Sequence, residues 1–178
     1  MPAALSPLPR PWPVLRHWPI LALLASALML AIAHAFETFG GLAPCTLCLQ
    51  QRDVYWTAMA VAALAVIAAR TPARQRVSPL FAILLVGVFA AGAAIAARHA
   101  GAEWKWWPGP ATCSGGGAVT ASALADLMHG ARIAPPRCDE ASWRFLGLSM
   151  AGWNFLISVG LAGVSLLAWR SRLPEPQS

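Results

Sequence analysis

Four stretches of the chain are apolar over about the length that crosses a bilayer, and most of the polar residues gather between them. They lie near residues 18–38, 49–69, 79–97 and 146–169. A membrane-spanning helix takes about 20 residues. Inside a bilayer the backbone N–H and C=O groups have no water to bond, so each stretch is predicted to be helical. The second begins with Gln50, Gln51, Arg52 and Asp53 and is the least uniform at its start. Gly40-Gly41 breaks the chain after the first stretch, and Arg70-Thr71-Pro72 ends the second. The link that follows is short, which makes helices two and three antiparallel neighbours. Gly87, Ala90, Ala91, Ala93 and Ala94 give the third stretch a surface suited to close helix packing. A polar segment of about 100–145 then intervenes, with a turn at Pro108-Gly109-Pro110 and a short helix predicted over 119–129. The pattern predicts one all-α membrane domain covering 1–178. It is a four-transmembrane-helix bundle with a long external loop between helices 3 and 4.

Composition agrees. Of 178 residues, 58% are apolar and 11% charged, against about a quarter charged in a soluble domain. The net charge of +6 does not point to nucleic acid, because the basic residues sit at helix ends and form no single face. Arg10 and Arg16 precede the first stretch, Arg70, Arg74 and Arg76 fill the second link, and Arg170 and Arg172 follow the fourth. The positive-inside rule places both termini and that link in the cytoplasm. The segment around residue 45 and the loop 100–145 then lie outside, so all four cysteines face the compartment where disulfides persist. Arg10, Arg16, an apolar run and Ala33-His34-Ala35 also resemble a cleavable signal sequence. The run is long for that, and cleavage leaves the sidedness of the cysteines unchanged.

The chemistry is concentrated in Pro44-Cys45-Thr46-Leu47-Cys48-Leu49-Gln50-Gln51-Arg52. Four cysteines allow three connectivities, and sequence alone does not choose among them. Spacing leans toward Cys45 with Cys48 and Cys113 with Cys138. Cys48 lies near a helix N-terminus, where the dipole favours a thiolate. Arg52, four residues on, shares its helix face. It lies on the side where arginines are uncommon, which favours a role beyond snorkelling into the interface. Asp53 is available to balance its charge. A zinc site is disfavoured because Cys113 and Cys138 are too far apart for the second half of a Cys₄ set, so no metal is expected. Disulfides that only staple the loops are the plainer reading.

Four spans, Cys45-x-x-Cys48 followed by Arg52, and a long second external loop carrying Cys113 and Cys138 resemble the disulfide bond formation protein B family over nearly the whole chain. The resemblance implies a thiol:quinone oxidoreductase of the bacterial inner membrane. It would re-oxidise a periplasmic thioredoxin-like disulfide oxidase (DsbA-like) and pass the electrons to ubiquinone or menaquinone. By position, Cys113 would take the partner's thiolate as a mixed disulfide, and Cys138 would attack Cys45. Cys48 would be the thiolate beside the quinone, and Arg52 would bind a quinone oxygen. His99 matches a position linked to quinone handling, although a histidine at a helix end is also a common interfacial group. Glu103 and the Trp104–Trp107 cluster depart from the best-known members. Two alternatives stand beside this reading. One is a vitamin K epoxide reductase-like protein, which usually carries its C-x-x-C on a late helix. The other is a membrane scaffold stapled by disulfides.

Overall fold

The computed structural model describes residues 15, 17–110, 128 and 137–172. Among these, four helices account for nearly all regular structure: α1 (Trp18–Thr38), α2 (Thr46–Ala68), α3 (Arg74–Glu103) and α4 (Met150–Arg170). Strands β1 (Arg144–Phe145) and β2 (Leu148–Ser149) form a small antiparallel hairpin just before α4. Cys113, the predicted helix over 119–129 and the N-terminal residues 1–14 lie outside the described residues.

The helix boundaries follow local chemistry. Pro19 sits in the first turn of α1, where its missing N–H costs nothing. Cys45 caps α2, its Sγ accepting from the Cys48 N–H, so the helix begins three residues before the apolar run does. α3 extends past residue 97, where the sequence put its end, to Glu103; Ala100 and Ala102 favour the helix there, and the first proline beyond them comes only at Pro108. Residues 146–149, assigned from sequence to the start of the fourth helix, instead complete the hairpin. Leu146 (φ 51°) and Gly147 (φ 82°) both take the left-handed conformation that a tight hairpin turn requires. Ser149 then caps α4 by accepting from the Gly152 N–H at 3.1 Å.

The helices pack in chain order, α1 on α2, α2 on α3 and α3 on α4, whereas α1 and α4 meet only thinly. Trp18 Nε1 donates to Ser165 Oγ at 3.0 Å and joins the start of α1 to the end of α4. Small residues carry the closest approaches: Ala22, Ala58, Ala62 and Ala168 surround Leu85 and Phe89, which are wholly buried. At Gly92 a side chain would come within 2.9 Å of Val54 Cγ1, so glycine lets α3 close on α2. Large apolar residues on every helix face outward, among them Leu24, Leu28, Leu64, Ile67, Leu84 and Leu167. Among the described residues, three segments are long and apolar enough to cross a membrane: Trp18–Thr38, Arg76–Glu103 and Met150–Arg170. α2 is not one of them, since Gln50, Gln51, Arg52 and Asp53 occupy its first two turns.

Phe89→Ala should lower the stability of the detergent-solubilised protein by about 3 kcal/mol through the cavity it leaves. Leu84→Ala, on the outward face, should change it by under about 1 kcal/mol. Thermal unfolding followed by circular dichroism compares the two, and equal shifts would contradict the packing described.

Candidate active site

The cap of α2 brings its two cysteines together. Cys45 and Cys48 are free thiols, and their sulfurs lie 2.9 Å apart. Cys138 is disulfide-bonded and fully buried. Its Sγ, Cys45 Sγ and a ring nitrogen of His99 all lie within 4.8 Å of one another. The segment after the long loop therefore places a disulfide sulfur against the thiol pair, across more than ninety residues of sequence.

Hydrogen bonds converge on Cys45. The Cys48 thiol is the strongest influence, and it holds Cys45 down to about 4 from an ordinary 9.0. Burial opposes the shift, while His99 Nε2 at 3.7 Å and the Cys48 N–H at 3.3 Å add to it. In the dithiol the lowered thiol is Cys45, the one on which the Cys48 thiol, the His99 ring and the Cys48 N–H converge.

His99 is no interfacial bystander: it is buried, with 5% of its surface exposed. Gln51 Nε2 donates to its Nδ1 at 3.0 Å. Gln51 Oε1 accepts from Asn154 Nδ2, Asn154 Oδ1 accepts from the Tyr55 hydroxyl, and Ser158 Oγ lies 3.3 Å from that hydroxyl. The chain of bonds joins α2, α3 and α4. On its own helix His99 faces Glu103, with Nε2 3.7 Å from Oε1.

Arg52 is mostly buried, and its Nη1 meets Glu37 Oε2 at 2.5 Å. Its Nη2 donates to the Ala33 carbonyl at 3.2 Å. Glu37 of α1, not Asp53, thus supplies the balancing carboxylate. Trp56 is exposed, and its neighbour Tyr55 is buried in the network.

Beside these groups lies a cavity of about 380 Å³, within the range of small-molecule sites. Cys48, Arg52 and Tyr55 line one side, α1 supplies Ala33 and Phe36, and α4 supplies Trp153 and Ile157. The hairpin closes its rim: Trp143 packs on Phe36 at 5.1 Å between ring centres and stacks on Phe145. A second crevice, about 40 Å³, opens on the other side of the thiols between Cys45, His99, Glu103, Arg137 and Glu140.

Trp104, Trp106 and Trp107 pack on one another at the end of α3. Trp107 Nε1 donates to the Arg98 carbonyl at 2.9 Å. The turn swings Lys105 to the Asp139 carboxylate at 2.9 Å and anchors the residue after Cys138. Lys105 first and then Arg137 hold the Asp139 carboxyl down to about 2.

Of the predicted site residues, Cys45, Cys48, Cys138, Arg52 and His99 are brought together, and Cys113 lies outside the described residues. Glu37, Gln51, Asn154 and Ser158 were missed. A signal existed for most of them: Gln51 with Tyr55 and Asn154 with Ser158 are polar pairs four apart on apolar helices. Polar groups within such helices mark function by default.

Fold and site together define a helical membrane protein with a vicinal dithiol at one end of its bundle, set against an apolar cavity. The family model "Disulfide bond formation protein DsbB" matches residues 15–168. The chain belongs to that family. It is 34% identical to disulfide bond formation protein B of Methylococcus capsulatus over 155 residues, covering 84% of this chain and 91% of the relative. It is 33% identical to the protein of that name from Stutzerimonas stutzeri, covering 83% and 90%. With disulfide bond formation protein B 2 of Pseudomonas entomophila it shares 30% identity, covering 89% and 94%. No solved structure matches the chain.

Reduced protein should keep a thiolate down to about pH 4, seen as ultraviolet thiolate absorbance, and His99→Ala should move that inflection upward. A depressed thiol also stabilises the reduced fold. The contribution is complete above the ordinary value of 9.0 and fades as pH falls toward about 4. An inflection near 9 would refute the arrangement.

Proposed function

We infer that the protein is a membrane thiol:quinone oxidoreductase that re-oxidises a periplasmic thioredoxin-like disulfide oxidase (DsbA-like) and hands the electrons to ubiquinone or menaquinone. The observation that carries this is the juxtaposition of a reactive dithiol, a buried disulfide sulfur and an apolar cavity with one guanidinium in its wall. A scaffold stapled by disulfides has no use for a cavity beside free thiols.

α2 spans the membrane with α1, α3 and α4 in this reading, its polar first turns lying at the periplasmic rim. Both termini face the cytoplasm of a bacterial inner-membrane protein, by the positive-inside rule. The partner's thiolate attacks Cys113, and Cys138 is released. Cys138 then attacks Cys45, and Cys48 departs as the thiolate lining the cavity. The cavity residues fit a quinone. The aromatic and aliphatic walls suit a ring, while Arg52 and Cys48 are the polar groups at its edge. Arg52, kept in place by Glu37 and the Ala33 carbonyl, would orient a quinone oxygen, and Cys48 would face the ring. The quinone supplies the two-electron acceptor.

Quinone-dependent oxidation of a reduced thioredoxin-like partner by purified protein tests the whole. Cys48→Ala should abolish quinone reduction while leaving the mixed disulfide at Cys113 able to form. Cys138→Ser leaves Cys113 a free thiol, which should attack the disulfide of the oxidised partner and hold it as a covalent adduct on a non-reducing gel; a gel without adduct would reject Cys113 as the cysteine that meets the partner. Arg52→Met should raise the apparent KM for quinone about tenfold or more, in line with loss of a charge-assisted hydrogen bond. An unchanged KM would leave Arg52 a purely structural role.

A further inference from the structure

Glu103 is the buried carboxyl of the site to which the relay gives no task. It ends α3 one turn beyond His99, and its side chain is only 5% exposed. Its Oε1 lies 3.7 Å from His99 Nε2, the same nitrogen that lies 3.7 Å from Cys45 Sγ. Its Oε2 is buried with no hydrogen-bond partner among the described residues. Buried carboxylate oxygens without partners are costly and are seldom kept without a use.

The buried hydrogen-bond chain decides what His99 can offer. Gln51 donates to Nδ1, so neutral His99 carries its proton on Nε2. One N–H therefore stands between two acids, the Cys45 thiol and the Glu103 carboxyl. A single proton cannot fully serve two anions, and two like charges this close in a buried site disfavour one another. The other charged or titratable groups around them are Cys48 on α2, disulfide-bonded Cys138, Arg137 and Glu140 in the segment before the hairpin, and Arg144 on β1. Arg137, Glu140 and Arg144 are solvent-exposed and screened; the Ser149 hydroxyl at the start of α4 is the remaining polar neighbour of the Glu103 carboxyl.

The geometry points to Glu103 as the proton acceptor of this centre, ionised while Cys45 and Cys48 are joined in their disulfide and protonated once that disulfide has opened. His99 turns its one N–H to whichever of Glu103 and Cys45 is charged. In the exchange step Cys138–SH, the Cys45–Cys48 disulfide and Glu103–COO⁻ become the Cys45–Cys138 disulfide, Cys48–S⁻ and Glu103–COOH. The Cys45–Cys48 bond breaks and the Cys45–Cys138 bond forms. The thiol proton goes to Glu103, and no other reagent is needed. The small crevice that Glu103 shares with Arg137 and Glu140 opens toward solvent and gives the stored proton its exit.

This rests on the reading of Cys45 and Cys48 as a reversible redox pair, and the test separates the two ideas. Quinone-free full-length protein is equilibrated under nitrogen with reduced and oxidised dithiothreitol between pH 5.5 and 7.5. The Cys45–Cys48 peptide is then mapped by mass spectrometry after acid quench and alkylation. In this range dithiothreitol is a two-proton couple. Wild-type protein takes up two protons on reduction, on Cys48 and Glu103, so its equilibrium with dithiothreitol should not vary with pH. Glu103→Gln leaves one proton, and its equilibrium constant should shift tenfold per pH unit, equivalent to about 30 mV. A variant equilibrium as flat as wild type overturns the role of Glu103. Failure of wild type to equilibrate at all overturns the redox pair beneath it. Infrared difference spectra of wild-type protein give a readout that does not depend on the variant folding. A protonated-carboxyl band should appear on reduction, and its absence also overturns the proposal.

Discussion

A polar chain buried in an apolar bundle holds this molecule in register. From His99 through Gln51, Asn154 and Tyr55 to Ser158, each side chain satisfies the next, and three helices contribute. Any one of these groups left alone in such surroundings would cost about 1–3 kcal/mol. Sliding α2, α3 or α4 past the others by one turn would strand several at once. The chain therefore fixes both the relative height of the helices and the orientation of His99 at the end where the thiols lie. Small residues elsewhere in the bundle permit close packing but allow many registers; the polar chain selects one.

The thiol pair depends on that register. Cys45 draws hydrogen bonds because it caps α2, but His99 reaches it only because α3 continues past residue 97 and sits at the right height. The same extension carries Glu103 to its place and lets the turn at Trp104–Trp107 deliver Lys105 to Asp139. Cys138 is held against Cys45 from this side, while the hairpin before α4 closes the cavity on the other. The two sides of the dithiol are unlike: a large apolar cavity lined by Cys48, and a small crevice lined by both cysteines together with Glu103, Arg137 and Glu140. Such a division suits a centre that exchanges electrons in one direction and protons in another.

Arg52 belongs to a separate ion pair that joins α1 to α2 through Glu37 and Ala33. α1 and α4 hardly touch, so the cavity between them is shaped by this pair, by the Phe36–Trp143 contact and by the Trp18–Ser165 bond at the opposite end. A carboxylate from α1 holds the guanidinium beside the apolar walls.

The sequence alone determined the helices, because a run of about 20 apolar residues has few alternatives in lipid. It also singled out residues that the structure brings together: two cysteines at a helix start with an arginine one turn on are legible from spacing. The range 18–38 matched α1 to the residue, since Pro19 and Gly40-Gly41 are local signals. What spacing could not reveal was anything set by the height of one helix against another. The pairing of Arg52 with Glu37 over Asp53, the burial of His99, the lowering of the Cys45 thiol and the approach of Cys138 all depend on that height. The hairpin at 144–149 was missed for a related reason. Its turn relies on a leucine in the left-handed conformation, which no local preference announces and which the stacking of Trp143 on Phe145 and the Trp153–Phe145 hydrogen bond support. Local pattern names the elements and the reactive atoms; only packing, by deciding which buried polar groups meet, makes them a site.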